Sequence, residues 1–276
     1  MQKSNIVKVD LHVHTTASDG TWTPYELVNE IIKNSIDMFA VTDHDTTENV
    51  NKTRKIAESK SLKFINGVEI TSTWGDITPH ILGYKIDIDN QNLQALLKKN
   101  MQLLEKKDEE SIQYLEAKGF NVSYKEYEKY IDNPTSGGWK AFNYAKDKNL
   151  CKNHIEFFNL FDNDNVFSKI YYCSSQEAIR AIINAGGIPI LAHPGVYFYG
   201  DDYKGVIQDM IDQGVCGIEC YHPDNSKEVT DYSIKACTDR YLLITGGSDC
   251  HGDFVVNRKL GQPPLTLEML NLSGLL

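Results

Sequence analysis

The chain has 276 residues, 41% of them hydrophobic and 24% charged, as expected of a water-soluble globular protein with room for one barrel-sized domain and an insertion. Its formal net charge of −10 excludes a general affinity for nucleic acid or anionic membranes, so no stable DNA binding is expected. An anionic substrate would have to be drawn in by local positive charge such as a bound metal. The cysteines at 151, 173, 216, 220, 237 and 250 form no CxxC pair, which removes zinc-ribbon and thioredoxin-like readings. No signal-like apolar core and no membrane-length apolar run is present, so a reducing cytoplasm is the expected compartment.

Short β-branched runs alternate with amphipathic stretches along the chain. NIVKVDLHV predicts a strand, and TPYELVNEIIKNS a helix with Thr23 as N-cap and Pro24 at its first position. DMFAVTDHD predicts a strand, TTENVNKTRKIAESK a helix, and LKFINGVEITS and HILGYKIDI two more strands. From Asn90 to Lys169 the pattern turns helical and more polar, with Leu93, Leu96, Leu97, Met101, Leu104, Ile112 and Leu115 at helical spacing. The strand–helix rhythm then returns through SQEAIRAIINAGG, IPILAHPG, YKGVIQDMIDQGV, CGIECY, SKEVTDYSIKACTDR and YLLITGGSD. Repeated units of this kind predict an α/β body built on a parallel sheet, with residues 1–89 and 170–276 forming the body and 90–169 a helical insertion.

Seven of the eight histidines fall at predicted strand ends or in the loops just after them; only His154 lies in the insertion. In parallel α/β folds ligand sites form at that end of the strands. DLHVH places Asp10, His12 and His14 at alternating positions, which on a strand is one face, and Asp19 follows. VTDHD sets His44 between Asp43 and Asp45; Glu69, His80 and His193 end later segments; GGSDCHG supplies Asp249 and His251. Each alone has an ordinary alternative, such as a hydrogen-bonded surface histidine or a strand-end cap. Together they crowd imidazoles and carboxylates where only a cation balances the charge cheaply. The donors are nitrogen and oxygen without sulfur, which suits Mn²⁺, Fe²⁺ or Zn²⁺.

DLHVHTTASDG, VTDHDT, GVEIT, HILGY, LAHPG and GGSDCHG, in that order, resemble the successive motifs of the PHP (polymerase and histidinol phosphatase) family of phosphoesterases. The resemblance implies a distorted (β/α)7 TIM-like barrel with two to three divalent metals at its C-terminal face. It implies His12, His14, Glu69 and Asp249 at a first metal, Glu69 with His80 and His193 at a second, and Asp19, His44 and His251 at a third. The helical insertion is similar to that of the family branch with nucleoside 3′,5′-bisphosphate phosphatases and 5′–3′ exoribonucleases, where it lids the site. Those relatives carry a Gly-Arg-x-His-like stretch; GGWKAFNYA here offers Lys140 in its place and no following histidine. GIECYHPDNS lacks a histidine that relatives carry near Asn225 or Ser226, and His222 stands close by.

The chemistry then expected is in-line attack on a phosphate ester by a metal-bridging hydroxide held through Glu69, His193 and Asp249. Asp10, Asp43 and Asp45 are candidates for orienting the imidazoles. Lys140, His222 and Arg258 are candidate substrate contacts, each with a structural or solvated-charge alternative. His154 is expected to matter little to catalysis. The substrate expected is a small phosphorylated molecule, a nucleoside 3′,5′-bisphosphate, with short RNA trimmed from its 5′ end as a further activity. Histidinol phosphate is the rival substrate, and a non-catalytic PHP metal-binding module is the rival of another class.

Overall fold

The computed structural model describes residues 6–161, 171–196 and 199–276. Its centre is an eight-stranded sheet in the order β7-β6-β5-β4-β3-β2-β1-β8. The strands are β1 (Lys8–Asp10), β2 (Met38–Val41), β3 (Lys63–Thr71), β4 (His80–Tyr84), β5 (Ile188–Leu191), β6 (Gly217–Tyr221), β7 (Leu243–Gly246) and β8 (Leu265–Thr266). The sheet curls until its ends nearly meet. Beyond the regular strands Leu11 N–H donates to Gly246 O at 3.2 Å, and Val13 bridges Cys250 in parallel. β8 pairs antiparallel with β1 near the start of that strand.

The architecture is thus the expected α/β, barrel-shaped one, with a correction to strand direction. β4 runs antiparallel to both β3 and β5. The segment between β3 and β4, Ser72 to Pro79, is too short for a parallel crossover, which needs about a dozen residues or more. The reversal has a consequence for the site. It carries His80, the first residue of β4, to the C-terminal end of β3, opposite Thr71.

Helices α1 (Pro24–Lys33), α2 (Val50–Ser59), α7 (Ser175–Asn184), α8 (Tyr203–Gln213) and α9 (Lys227–Asp239) cover the sheet. Helix α1 begins as its sequence predicts: the Thr23 side chain accepts from Glu26 N–H while Glu26 reaches back to the Thr23 N–H, with Pro24 at the first position. Inside the curl lie Val9, Leu11, Met38, Ala40, Ile65, Leu82, Tyr84, Ile190 and Leu243, contributed by six strands. Outside it, Val13, Phe39 and Val41 pack with Leu27, Val28 and Ile31 of α1.

Between β4 and α7 come α3 (Gln91–Ala117), α4 (Tyr124–Tyr127), α5 (Lys140–Asp147) and α6 (His154–Phe158). They have a core of their own, built from Ile112, Leu115, Tyr127, Ala141, Phe142, Tyr144, Ala145, Cys151 and Phe157. Rings of Trp139, Phe142, Phe157 and Phe254 meet there edge-on or tilted, so the post-β7 loop lends an aromatic to the helical segment. Residues 162–169 of the expected insertion lie outside the described residues.

Candidate metal centre

The site grows out of a break in β1. Asp10 pairs with Phe39 of β2, and Phe39 belongs to the outer cluster, so Asp10 faces outward. Val13 joins the same outer cluster. Strict alternation would put Val13 on the face opposite Asp10, so the chain slips by one position after the strand ends, and His12 and His14 turn inward. Asp10, His12 and His14 therefore do not share one face, as alternation predicts. Asp10 instead pins the break, accepting from the backbone N–H of His12 (3.4 Å), Ser248 (2.9 Å) and Gly261 (2.8 Å).

Glu69, fully buried in β3, is the hub. Its two oxygens gather different histidines. Oε2 lies 3.1 Å from His12 Nε2, 3.3 Å from His14 Nε2 and 3.2 Å from His44 Nδ1. Oε1 lies 2.9 Å from His80 Nδ1 and 2.8 Å from His193 Nε2. Asp249 Oδ1 stands 3.3 Å from His12 Nε2 and 3.0 Å from His14 Nε2. Asp19 Oδ2 stands 3.3 Å from His251 Nε2 and 3.9 Å from His44 Nε2.

Among the described residues, three groups of donor atoms are close enough to share an ion: His12, His14, Glu69 and Asp249; His14, Asp19, His44 and His251; and His44, Glu69 and His80. The motif order assigns His14 to the first group alone. In the structure His14 and His44 each reach two groups, because each ring offers two nitrogens and sits between carboxylates. His193 touches the shared carboxylate from the far side.

These donors fit a divalent cation on charge and on geometry. His12 Nδ1 donates to Glu219 Oε1 at 2.9 Å, which directs its Nε2 at His14 Nε2 (3.1 Å) and at the carboxylates. Without a cation, only protons can balance such a cluster. Burial opposes charge on His12, yet Glu219, Asp249 and Glu69 raise its pKa well above the ordinary value. His14, also opposed by burial, is pushed up to about 10 by Asp249 and Glu69. Burial lowers His193 to about 4 and His44 to about 3, so both rings are neutral at neutral pH. Burial would raise Asp19, Glu69 and Asp249, but the histidine rings around them, with Arg258 foremost at Asp249, hold all three below the usual carboxylate range. Asp249 Oδ1 is buried and makes no well-directed hydrogen bond, although His14 Nε2 and His12 Nε2 stand 3.0 and 3.3 Å away, as expected of an oxygen that would share an ion with them.

The remaining candidates fall into place less directly. Asp43 accepts from Thr15 N–H (2.7 Å), Thr15 Oγ1 (2.6 Å) and Ser18 Oγ (2.7 Å), closing the DLHVHTTASDG loop. Asp45 accepts from Thr71 N–H (3.2 Å) and Asn100 Nδ2 (2.8 Å), joining β3 to α3. His222 Nδ1 accepts from Asp224 N–H (3.0 Å), so its Nε2 carries the proton and donates to Asp249 Oδ2 (3.2 Å). Arg258 also bonds Asp249 Oδ2 and reaches Asp224 Oδ2 at 2.7 Å, so its charge is already matched by two carboxylates. Lys140 Nζ sits 4.5 Å over the Tyr127 ring, within the helical segment.

Two residues were not legible as parts of the site. Glu219 is fully buried in β6, bonded to His12 and to the His193 N–H (2.9 Å); an acid amid the apolar run CGIECY was its only signal. His154 lies tilted against Phe254, 5.7 Å between ring centres, and the Phe254 ring is 6.4 Å from His251. Burial, Arg258 and His251 lower its pKa, so the insertion comes closer to the cluster than its sequence position suggests. Gly138 N–H donates to Asp19 O at 2.8 Å, a backbone link from the insertion to the same loop.

The model of the PHP domain matches residues 10–133. The 5′–3′ exoribonuclease Rnm of Salmonella typhimurium is 30% identical over 262 residues, spanning 88% of this chain and 84% of the relative. The 3′,5′-nucleoside bisphosphate phosphatase of Chromobacterium violaceum is 28% identical over 270 residues, 94% of each chain. A solved structure from Bifidobacterium adolescentis, described with metal-dependent phosphoesterase as its assumed activity, matches with a TM-score of 0.79 at 25% identity, over 92% of this chain and 91% of that one. This chain belongs to the PHP family of metal-dependent phosphoesterases. It is a hydrolase acting on phosphoric ester bonds. Among the described residues no helix is long and apolar enough to cross a membrane.

Proposed function

We propose that this enzyme removes a phosphate from a nucleoside 3′,5′-bisphosphate, leaving the 5′-monophosphate, with two or three divalent cations in the cluster. Mn²⁺, Fe²⁺ and Zn²⁺ all suit its nitrogen and oxygen donors. The observation that carries the reading is the division of Glu69: one oxygen meets His12, His14 and His44, the other His80 and His193. A carboxylate divided in this way is built to join two neighbouring cations. His12, His14 and Asp249 would hold one with Glu69, His80 and His193 the second, and Asp19, His44 and His251 a third. The substrate class is supported by the bisphosphate phosphatase, which matches along nearly its whole length.

Bound together, such cations would supply Lewis acidity and lower the pKa of water toward about 7. The protein's own groups do the rest. Asp249 is held ionised by Arg258, His12 and His251, and Arg258 and His222 both bond its Oδ2, leaving Oδ1 toward His12 and His14 for the reacting centre. Arg258 and His154 border the cluster on the side of the insertion, where residues 90–169 would act as a lid. Lys140, engaged with Tyr127, would contact substrate only by leaving that ring.

Exoribonuclease relatives make 5′ trimming of short RNA the natural second activity. A panel of adenosine 3′,5′-bisphosphate, a 5′-phosphorylated RNA pentamer and histidinol phosphate, each with added Mn²⁺, tests the reading. The bisphosphate should give the highest kcat/KM. Turnover of histidinol phosphate alone would overturn it.

A further inference from the structure

Glu219 lies outside the donor groups, yet every side-chain oxygen it has is committed. It is fully buried in β6. Oε1 bonds His12 Nδ1 at 2.9 Å, and Oε2 accepts the backbone N–H of His193 at 2.9 Å. Its main chain is tied as well, since Asn225 Nδ2 donates to Glu219 O at 3.1 Å. Burial would raise its pKa, but His12, His222 and His193 hold it below the ordinary value.

We infer that Glu219 is a positioning residue that fixes the tautomer of His12: it keeps the ring proton on Nδ1 and so leaves Nε2 for a metal ion. The inference rests on the metal-centre reading above. Its logic is one of donors and acceptors. A backbone N–H can only donate, so whatever replaces Glu219 must present an acceptor to His193. Glutamine has one acceptor and one donor at its tip. With its oxygen on the His193 N–H, its NH₂ must face His12 Nδ1. That nitrogen must then accept, and the single ring proton of neutral His12 moves to Nε2, where it points at His14, Glu69 and Asp249 and blocks the ion. The size and shape of the side chain hardly change.

The test is a cycle of four proteins: wild type, Glu219→Gln, His12→Ala and the double variant. Mn²⁺ binding is followed by the electron paramagnetic resonance of the free ion, and folding by circular dichroism. Glu219→Gln should weaken the tightest site about 10- to 100-fold, the range for partners behind a metal ligand. The double variant should bind no more weakly than His12→Ala. If Glu219 acted only through its charge, its loss would weaken binding further in the His12→Ala background, and multiplying losses would overturn the inference. So would wild-type affinity in Glu219→Gln.

A measurement on the unaltered protein covers the case in which Glu219→Gln does not fold. In ¹⁵N-histidine-labelled wild type loaded with Zn²⁺, the His12 proton should sit on Nδ1. Finding it on Nε2 would overturn the inference. Failure of the wild type to bind Mn²⁺ or Zn²⁺ at all would instead defeat the metal-centre reading itself.

Discussion

The curled sheet and the helical segment solve opposite problems. At the end of the sheet, Glu69, Asp249, His12 and His14 are buried together, an arrangement that is electrostatically costly without a cation. The helical segment buries rings instead, with Tyr127, Phe142, Tyr144 and Phe157 packed at ordinary aromatic distances. The first region is balanced most cheaply by a bound cation, whereas the second rests on apolar packing. They meet at Gly137, Gly138, Phe254 and His154, so the apolar region borders the polar one without contributing donors to it.

The largest expected effect breaks the polar side. Replacing His12 and His14 with alanine should lower phosphatase activity on the order of 10³-fold or more, beyond the loss of one transition-state hydrogen bond. Metal content by elemental analysis should fall with it, while the helical segment stays folded by near-UV circular dichroism of its aromatics. An unchanged metal content would refute the ligand assignment.

A second substitution strikes the junction. Gly137 has φ +70°, and a Cβ there would lie 2.6 Å from Phe254 Cβ and 2.9 Å from Thr21 Cγ2. Gly137→Ala should destabilise the protein by about 1–3 kcal/mol through backbone strain and contact. Its KM should rise more than its metal affinity falls. An unaltered melting temperature and KM would show that the two regions are not tightly fitted there.

His154→Ala should raise KM a few-fold and leave kcat nearly unchanged, since this ring borders the cluster through Phe254 and His251 rather than donating to it. Loss of kcat without a change in KM would mean that the insertion takes part in the chemistry.

The smallest effect sharpens the apolar side. Burial raises Asp108 to about 6, and its Oδ2 accepts from Ala141 N–H at 3.1 Å near the start of α5. The folded state therefore holds this proton more tightly than the unfolded chain. Its contribution is fully present below about pH 4 and is lost as pH rises through about 6. Asp108→Asn keeps an acceptor for Ala141 and should remove that loss, adding about 1–2 kcal/mol at pH 8 relative to wild type. Urea titrations at pH 5 and pH 8 would check this, and a stability difference unchanged between the two pH values would contradict it.

Much of this contrast was legible in the residues. Strand ends bearing histidine and acid can be recognised one by one, and Thr23-Pro24 by itself announces α1. The direction of β4 was not legible from periodicity, because period two is the same either way; only the short connection from Ser72 to Pro79 tells against a parallel crossover. The facing of Asp10 was missed because alternation holds only while a strand is regular, and β1 ends at Asp10. Glu219 is not legible in the sequence because one acid in an apolar strand says nothing of its partner, which lies 207 positions away. The pairing of Arg258 with Asp249 and Asp224 is likewise a product of the fold.

We propose that Glu69 would join two metal sites through its two oxygens. Inductively coupled plasma analysis of metal per chain, on wild type and Glu69→Gln reconstituted with Mn²⁺ and desalted, tests it most directly. The wild type should hold about two or more ions, and the variant should lose at least one ion together with nearly all activity on adenosine 3′,5′-bisphosphate. A variant that keeps the full wild-type metal content and turnover would contradict it.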